Sequence, residues 1–177
     1  MHLDQTFVRQ WCGQPDSSEV QLFTATHAAI ATRGYLTRDE LKEIAIWKAG
    51  QRVLHALERD KDTVMDVTRL ALAADTPEWL RHHILRILGG VEHRVASAIL
   101  TVWDPMTHTV LDFRVVEALE EFKRRRAVHY EPSLGSQDHM PGYWTYLTVY
   151  RPIAVTVGAG HRDLDRALWN WHKAGMP

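Results

Sequence analysis

The 177-residue sequence predicts an all-α fold, and three observations carry that reading. Apolar residues recur at three- and four-residue spacing along most of the chain, the signature of one buried helix face. Capping residues and glycines punctuate these stretches about one helix length apart. Before Asp112 the β-branched runs are too short for strands, and no repeat or low-complexity stretch interrupts the pattern.

Residues 1–15 read as an irregular lead-in closed by Pro15. Asp16-Ser17-Ser18-Glu19 has the form of a capping box, and Val20, Phe23 and Ile30 follow on a helix ended by Gly34. Thr37-Arg38-Asp39-Glu40 is a second capping box, leading a stripe of Leu41, Ile44 and Ala45 that stops at Gly50. Val53, Leu54 and Leu57 suggest a short helix before a charged turn over residues 58–62. The next helix is expected from Thr63, with Val67, Leu70, Ala71 and Ala74 inward. Thr76 as N-cap and Pro77 as first residue open a helix carrying Leu80, Ile84, Ile87 and Leu88. Gly89 and Gly90 separate it from a second stripe, Val91, Val95, Ala98, Ile99 and Val102. Two helices so closely joined form a tight hairpin, and the free N–H groups opening the second helix suit a phosphate.

Asp112 then opens a helix through Val116 and Leu119 to Lys123-Arg124-Arg125-Arg126, a basic end that the helix dipole favours and that reads as solvated. Residues 127–141, with two prolines and a glycine, read as a loop long enough to be functional. A further helical pattern carries Trp144, Leu147 and Tyr150 and is expected to kink or break at Pro152. The last helix, from about Asp163, presents Leu164, Ala167, Leu168 and Trp171.

Composition limits function. With 45% hydrophobic and 24% charged residues the chain is an ordinary globular one, sized for one core or two small lobes. A formal charge of −1 excludes nucleic-acid binding by bulk charge alone. Residues 81–126 hold eight Lys/Arg against six Asp/Glu, a modest local excess that four histidines there would raise in mild acid. Cys12, the sole cysteine, excludes an intrachain disulfide and four-cysteine zinc or iron–sulfur sites. The amino terminus lacks a signal-peptide core, and no run of 18 apolar residues exists, so a cytoplasmic chain with no membrane partner is expected. His82, His83 and His93 flank the hairpin, but adjacent helical histidines face apart and no carboxylate completes a ligand set. No metal is expected there; the three read as phosphate-side or solvated. Trp79, Trp169 and Trp171 read as packing residues, and no Ser-His-Asp, P-loop or dinucleotide pattern is present.

The run from Leu88 to Leu100, LGGVEHRVASAIL, resembles the L-P-G-V-G-x-x-T-A-x-x-I-L hairpin of the helix-hairpin-helix DNA glycosylases, the endonuclease III-like superfamily. In that family an essential aspartate follows the hairpin at the start of another helix. Asp112 stands there, eighteen residues after Arg94. Arg162 to Trp169 also resembles the closing helix of bacterial glycosylase-like proteins. The resemblance implies an all-α, two-lobe helix-hairpin-helix glycosylase-like fold, with approximate lobes 36–110 and 1–35 plus 111–177. It implies double-stranded DNA crossing Gly89, Gly90, Val91, Glu92, His93 and Arg94, a flipped base between the lobes, and Asp112 as the catalytic acid.

Two departures bear on chemistry. Glu92 replaces the second glycine of G-V-G and puts an anion near the expected phosphate. Arg94 stands where bifunctional members carry a Schiff-base lysine, and an arginine cannot supply that nucleophile. Candidates for the base pocket are Trp47 and Lys48, carried over from the family, and Trp103, Tyr143 and Trp144 by sequence position. For Trp47, Trp103, Tyr143 and Trp144 the core is the competing reading, and for Lys48 a solvated helix end. No cofactor is expected beyond a monovalent cation of the kind hairpin carbonyls hold in the family.

The expected function is a monofunctional glycosylase that removes a damaged or modified base and leaves an abasic site. One candidate base is a hypermodified cytosine of phage DNA, in antiviral defence. The alternatives are an alkylpurine repair glycosylase, a non-catalytic DNA-binding module in which Asp112 merely caps its helix, or a helical protein–protein adaptor with no salt-dependent DNA affinity. A monomer is expected.

Overall fold

The computed structural model describes residues 2–177, and they are helical, with a single isolated bridge between Ser136 and His139 and no strand among them. The helices are α1 Gln5–Trp11, α2 Ser17–Arg33, α3 Arg38–Ala49, α4 Lys61–Leu72, α5 Glu78–Leu85, α6 His93–Trp103, α7 Phe113–Arg124, α8 Tyr143–Val157 and α9 His161–Lys173. Two units divide the chain: residues 15–104 form one, and residues 1–14 with 105–177 form the other. Helix α2 lies in the same unit as the hairpin.

The hairpin unit is built round α6. Eight consecutive residues, Val95 to Val102, are buried, so this helix is covered on all sides, with α2, α3 and α5 packed against it. Its polar members are satisfied within the helix. Ser97 donates to Arg94 O at 2.8 Å and Thr101 to Ser97 O at 2.8 Å. Burying each of its aliphatic side chains is worth roughly 1.5–3 kcal/mol, so packing holds this helix. Asp16 caps α2 through Ser18 N, and Thr37 and Glu40 form the full reciprocal capping box of α3. Gly34 and Gly50 end these two helices, both with positive φ.

Four expectations in this unit need correction. Val53 and Leu54 lie in a 3-10 turn, Gln51–His55, rather than an α-helix. Helix α4 starts at Lys61 because Asp60 caps it, accepting from Thr63 N at 2.7 Å. Its inner face is Val64, Thr68, Ala71 and Leu72, while Leu70 is 57% exposed. Thr68 earns an inward place through its hydroxyl, which accepts Leu36 N–H at 3.0 Å and donates to Val64 O at 2.7 Å. Thr76 does not cap α5; its hydroxyl donates to Leu70 O, and Pro77 is the cap position.

The second unit packs α9 against α1, α7 and α8. The expected irregular lead-in is in fact helix α1, capped by Asp4 through Phe7 N at 2.9 Å. Phe7 meets Phe122 and Trp171 edge-on, with ring centroids 5.0 and 5.7 Å apart, and this aromatic knot anchors so short a helix. Helix α8 continues past Pro152 to Val157, so the proline does not end it. Its buried stripe is Tyr143, Tyr146, Leu147 and Tyr150, and Trp144 faces outward. The basic end of α7 is not simply solvated: Arg125 pairs with Glu121 and its Nη2 donates to Met176 O at 2.9 Å.

Candidate functional site

The sequence-predicted residues fall into two sets, one per unit. In the hairpin unit the turn between α5 and α6 is held from below by the chain at 56–58. Glu58 N donates to Gly89 O at 2.9 Å. A Cβ on Gly90 would lie 2.8 Å from both Leu57 Cα and Leu57 N, and Gly90 has φ +73°; one on Gly89 would lie 2.9 Å from Ala56 O. Both glycines are thus required by the close approach of two backbones, and at Gly90 also by its conformation. Val91 is buried and its N–H closes the turn on Leu88 O at 3.1 Å.

Helix α6 opens at Glu92, whose side chain makes no capping bond. That side chain is 80% exposed and lies 3.7 Å from Arg86 Nη2, so the anion that replaces the family's glycine is directed outward beside a cation. Arg94 is exposed on the first turn. His93 is half-buried; burial first, then Arg86, lowers its pKa. His82 is neither phosphate-side nor solvated. It is 3% exposed, its Nε2–H donates to His93 O at 3.2 Å, and burial pushes its pKa down to about 4. These two histidines therefore resist charging, and the expected gain of positive charge in mild acid is not theirs to supply. As for a cation, Leu88 O and Gly89 O each accept one backbone N–H and keep a second lone pair. No group of three or more His, Cys, Asp or Glu side chains among the described residues is arranged to hold a metal.

The second set centres on Asp112. It is 3% exposed and is the N-cap of α7, its Oδ1 accepting Arg114 N–H at 3.1 Å, with Arg114 Nη1 3.9 Å away. The residues that deliver it are pinned through their carbonyls by α8. Arg151 Nε donates to Thr107 O at 2.7 Å, Tyr143 to Thr109 O at 3.0 Å and Tyr146 to Val110 O at 3.3 Å. His108 stacks on Tyr143, and its Nδ1 lies 3.1 Å from the Tyr143 hydroxyl. Since that hydroxyl gives its proton to Thr109, His108 donates from Nδ1–H. Tyr146 is wholly buried; burial first, and then Tyr150, Asp165, Tyr143 and Asp112 around it, keep its phenol protonated well above the ordinary range.

Of the base-pocket candidates, Trp47, Lys48 and Trp103 belong to the hairpin unit and Tyr143 and Trp144 to the other. Trp47 is half-buried and meets Phe23 edge-on at 4.9 Å, and Lys48 sits in the last turn of α3, where the dipole favours a cation. Trp103 closes the far end of α6 from the hairpin, one face covered by the Arg81 guanidinium at 4.5 Å. His27 Nδ1 reaches the carbonyls of Val102 and Trp103 there, at 3.1 and 3.0 Å. Tyr143 is 4% exposed and serves Thr109 rather than presenting a stacking face, whereas Trp144 is 41% exposed with Arg151 over its ring at 5.9 Å. Trp79, read from sequence as packing, is 55% exposed.

The loop 127–141 is not free. Ser133 Oγ donates to Glu120 at 2.9 Å, Leu134 N also donates to Glu120, Gln137 N donates to Glu117 at 3.2 Å, and Lys123 pairs with Glu131 at 2.9 Å. Its first residues line a groove of about 470 Å³ with Val149, Ile153 and Val157 of α8.

Sequence reasoning missed Tyr146, His108 and Asp165. The tyrosine spacing 143, 146, 150 was a signal, since a stripe that is tyrosine rather than leucine brings hydroxyls that must find partners. Asp165, 5% exposed between Leu164 and Leu168, is an acid on an inward face, paired with Arg162 one turn back. No protein-family model, curated protein or solved structure matches the chain.

Proposed function

We propose that this protein is a monofunctional DNA glycosylase in which Asp112 promotes hydrolysis of the N-glycosidic bond of a modified base. The observation that carries the reading is a buried, rigidly oriented carboxylate at a helix N-cap, eighteen residues after Arg94 of a Gly-Gly helical hairpin whose second helix opens without a side-chain cap. The hairpin supplies backbone N–H groups and two arginines, Arg86 and Arg94, for phosphate contacts. When the bond between C1′ and the base nitrogen breaks, its electrons leave with the base and positive charge grows on the sugar. A fixed carboxylate shielded from water stabilises that charge more strongly than one in bulk solvent. Water then adds its oxygen to C1′ and its proton is taken up by Asp112 or the departing base, leaving an intact strand with an abasic site.

Capping and catalysis are compatible roles, because the bond from Arg114 N engages Oδ1 and holds the carboxylate in one orientation. The base must leave the stack to be reached. A hypermodified cytosine is the first candidate and an alkylated purine the second.

The test is incubation with DNA containing glucosylated hydroxymethylcytosine, with alkylated DNA and with unmodified DNA, followed by alkali and by mass spectrometry of released bases. Strand cleavage only after alkali on one of the modified DNAs is expected, with no covalent adduct on borohydride treatment, since Arg94 provides no Schiff-base amine. Release confined to alkylated DNA assigns the protein to repair. No release from any of the three leaves a DNA-binding module.

A further inference from the structure

We infer that Tyr143 and Tyr146 of α8, with His108 behind Tyr143, are positioning residues that set the Asp112 carboxylate by gripping the non-helical segment before it; this rests on the glycosylase reading above. The segment 107–111 lies between α6 and α7 and belongs to neither, so its carbonyls have no intrahelical partner; Thr107 is exposed, and residues 108–111 are buried. Three of them, at Thr107, Thr109 and Val110, accept from side chains of one helix. Tyr143 and Tyr146, three residues apart, share a buried face of α8, so one rigid helix holds the carbonyls of Thr109 and Val110, with Arg151 reaching Thr107 from farther round the helix.

The grip is directional. His108 gives Nδ1–H to the Tyr143 hydroxyl, which passes its own proton to Thr109 O, so the phenol has one orientation. Tyr146 then fixes Val110, two residues before Asp112, and Asp112 in turn receives Arg114 N–H. Val110, Leu111 and Asp112 are all at most 3% exposed, which leaves the carboxylate little room to relax if the carbonyls upstream shift. Apolar packing alone would satisfy the tyrosine rings equally well as phenylalanines; the hydroxyls are there for the carbonyls.

The test removes the two hydroxyls and keeps the rings, in the double variant Tyr143→Phe/Tyr146→Phe, beside Val157→Ala in the last turn of α8 as a control for lost stability. Amide hydrogen exchange at Arg114, whose N–H binds Asp112, is the readout that needs no substrate. At least about tenfold faster exchange than in the control is expected. On whichever modified DNA the wild-type protein acts upon, single-turnover base release falls about tenfold or more with DNA affinity unchanged. Exchange equal to the control overturns the grip. Faster exchange with undiminished release overturns its role in positioning while sparing the glycosylase. Absence of release by the wild-type protein overturns the glycosylase reading, and with it the catalytic purpose of the grip, whatever the exchange shows.

Discussion

His82 shows how one buried side chain ties the hairpin to pH. Its Nε2–H donates to the carbonyl of His93, the first residue of α6, from a site only 3% exposed. Burial lowers its folded pKa to about 4 from 6.5. The unfolded chain therefore binds the extra proton first as pH falls. Stability from this group is complete above about pH 6.5, is lost as pH drops toward 4, and the loss amounts to about 3 kcal/mol by linkage. Thermal denaturation of the wild-type protein and of His82→Gln across pH 4–7 checks this. The wild-type protein should lose more stability on acidification, and parallel profiles would show that His82 does not titrate this way. At the same scale Asp112 and Tyr146 illustrate two buried polar groups with different duties, one receiving an amide and the other serving a carbonyl.

Among elements, the α5–α6 hairpin is the most sharply specified. Gly90→Ala should cost about 1–3 kcal/mol in stability, because a Cβ would meet the Leu57 backbone at 2.8 Å in a left-handed conformation. DNA binding should weaken for all sequences alike, since contacts to backbone phosphates carry no base information. Denaturant titration and binding to two unrelated duplexes check both parts; unaltered stability would mean that the turn relaxes freely. The hairpin was legible because its signals are local: a glycine pair and a helical stripe. Helix α1 was not, since a seven-residue helix with two buried residues forms only where Phe7 docks on Phe122 and Trp171, more than a hundred residues away in sequence. The inner face of α4 was misread for a related reason. Counting apolar residues placed Leu70 inside, whereas Thr68 takes that place by bonding Leu36 N. Asp112 was legible from its position, but the tyrosines that grip its approach were not, because their hydroxyl partners, the carbonyls of Thr109 and Val110, are brought to them only by tertiary structure.

Taken whole, the chain is nearly neutral, at −1, and no helix among the described residues is long and apolar enough to cross a membrane. The helix-only expectation holds throughout those residues. DNA affinity, in the proposed reading, rests on few charges round one hairpin, Arg86 and Arg94 foremost. Binding should therefore weaken with salt on a shallow slope, about −2 to −3 in log K against log salt, as for two or three neutralised phosphates. A slope near zero would argue for a helical adaptor without a DNA site, and a much steeper one for a basic surface elsewhere.

The measurement that bears most directly on Asp112 is single-turnover base release by Asp112→Asn on the modified DNA that the wild-type protein acts upon. Asparagine is also a good N-cap, so Tm should change little while release falls by about 10²-fold or more. Wild-type release by a folded Asp112→Asn protein would contradict the catalytic assignment and leave Asp112 as the cap of α7 alone.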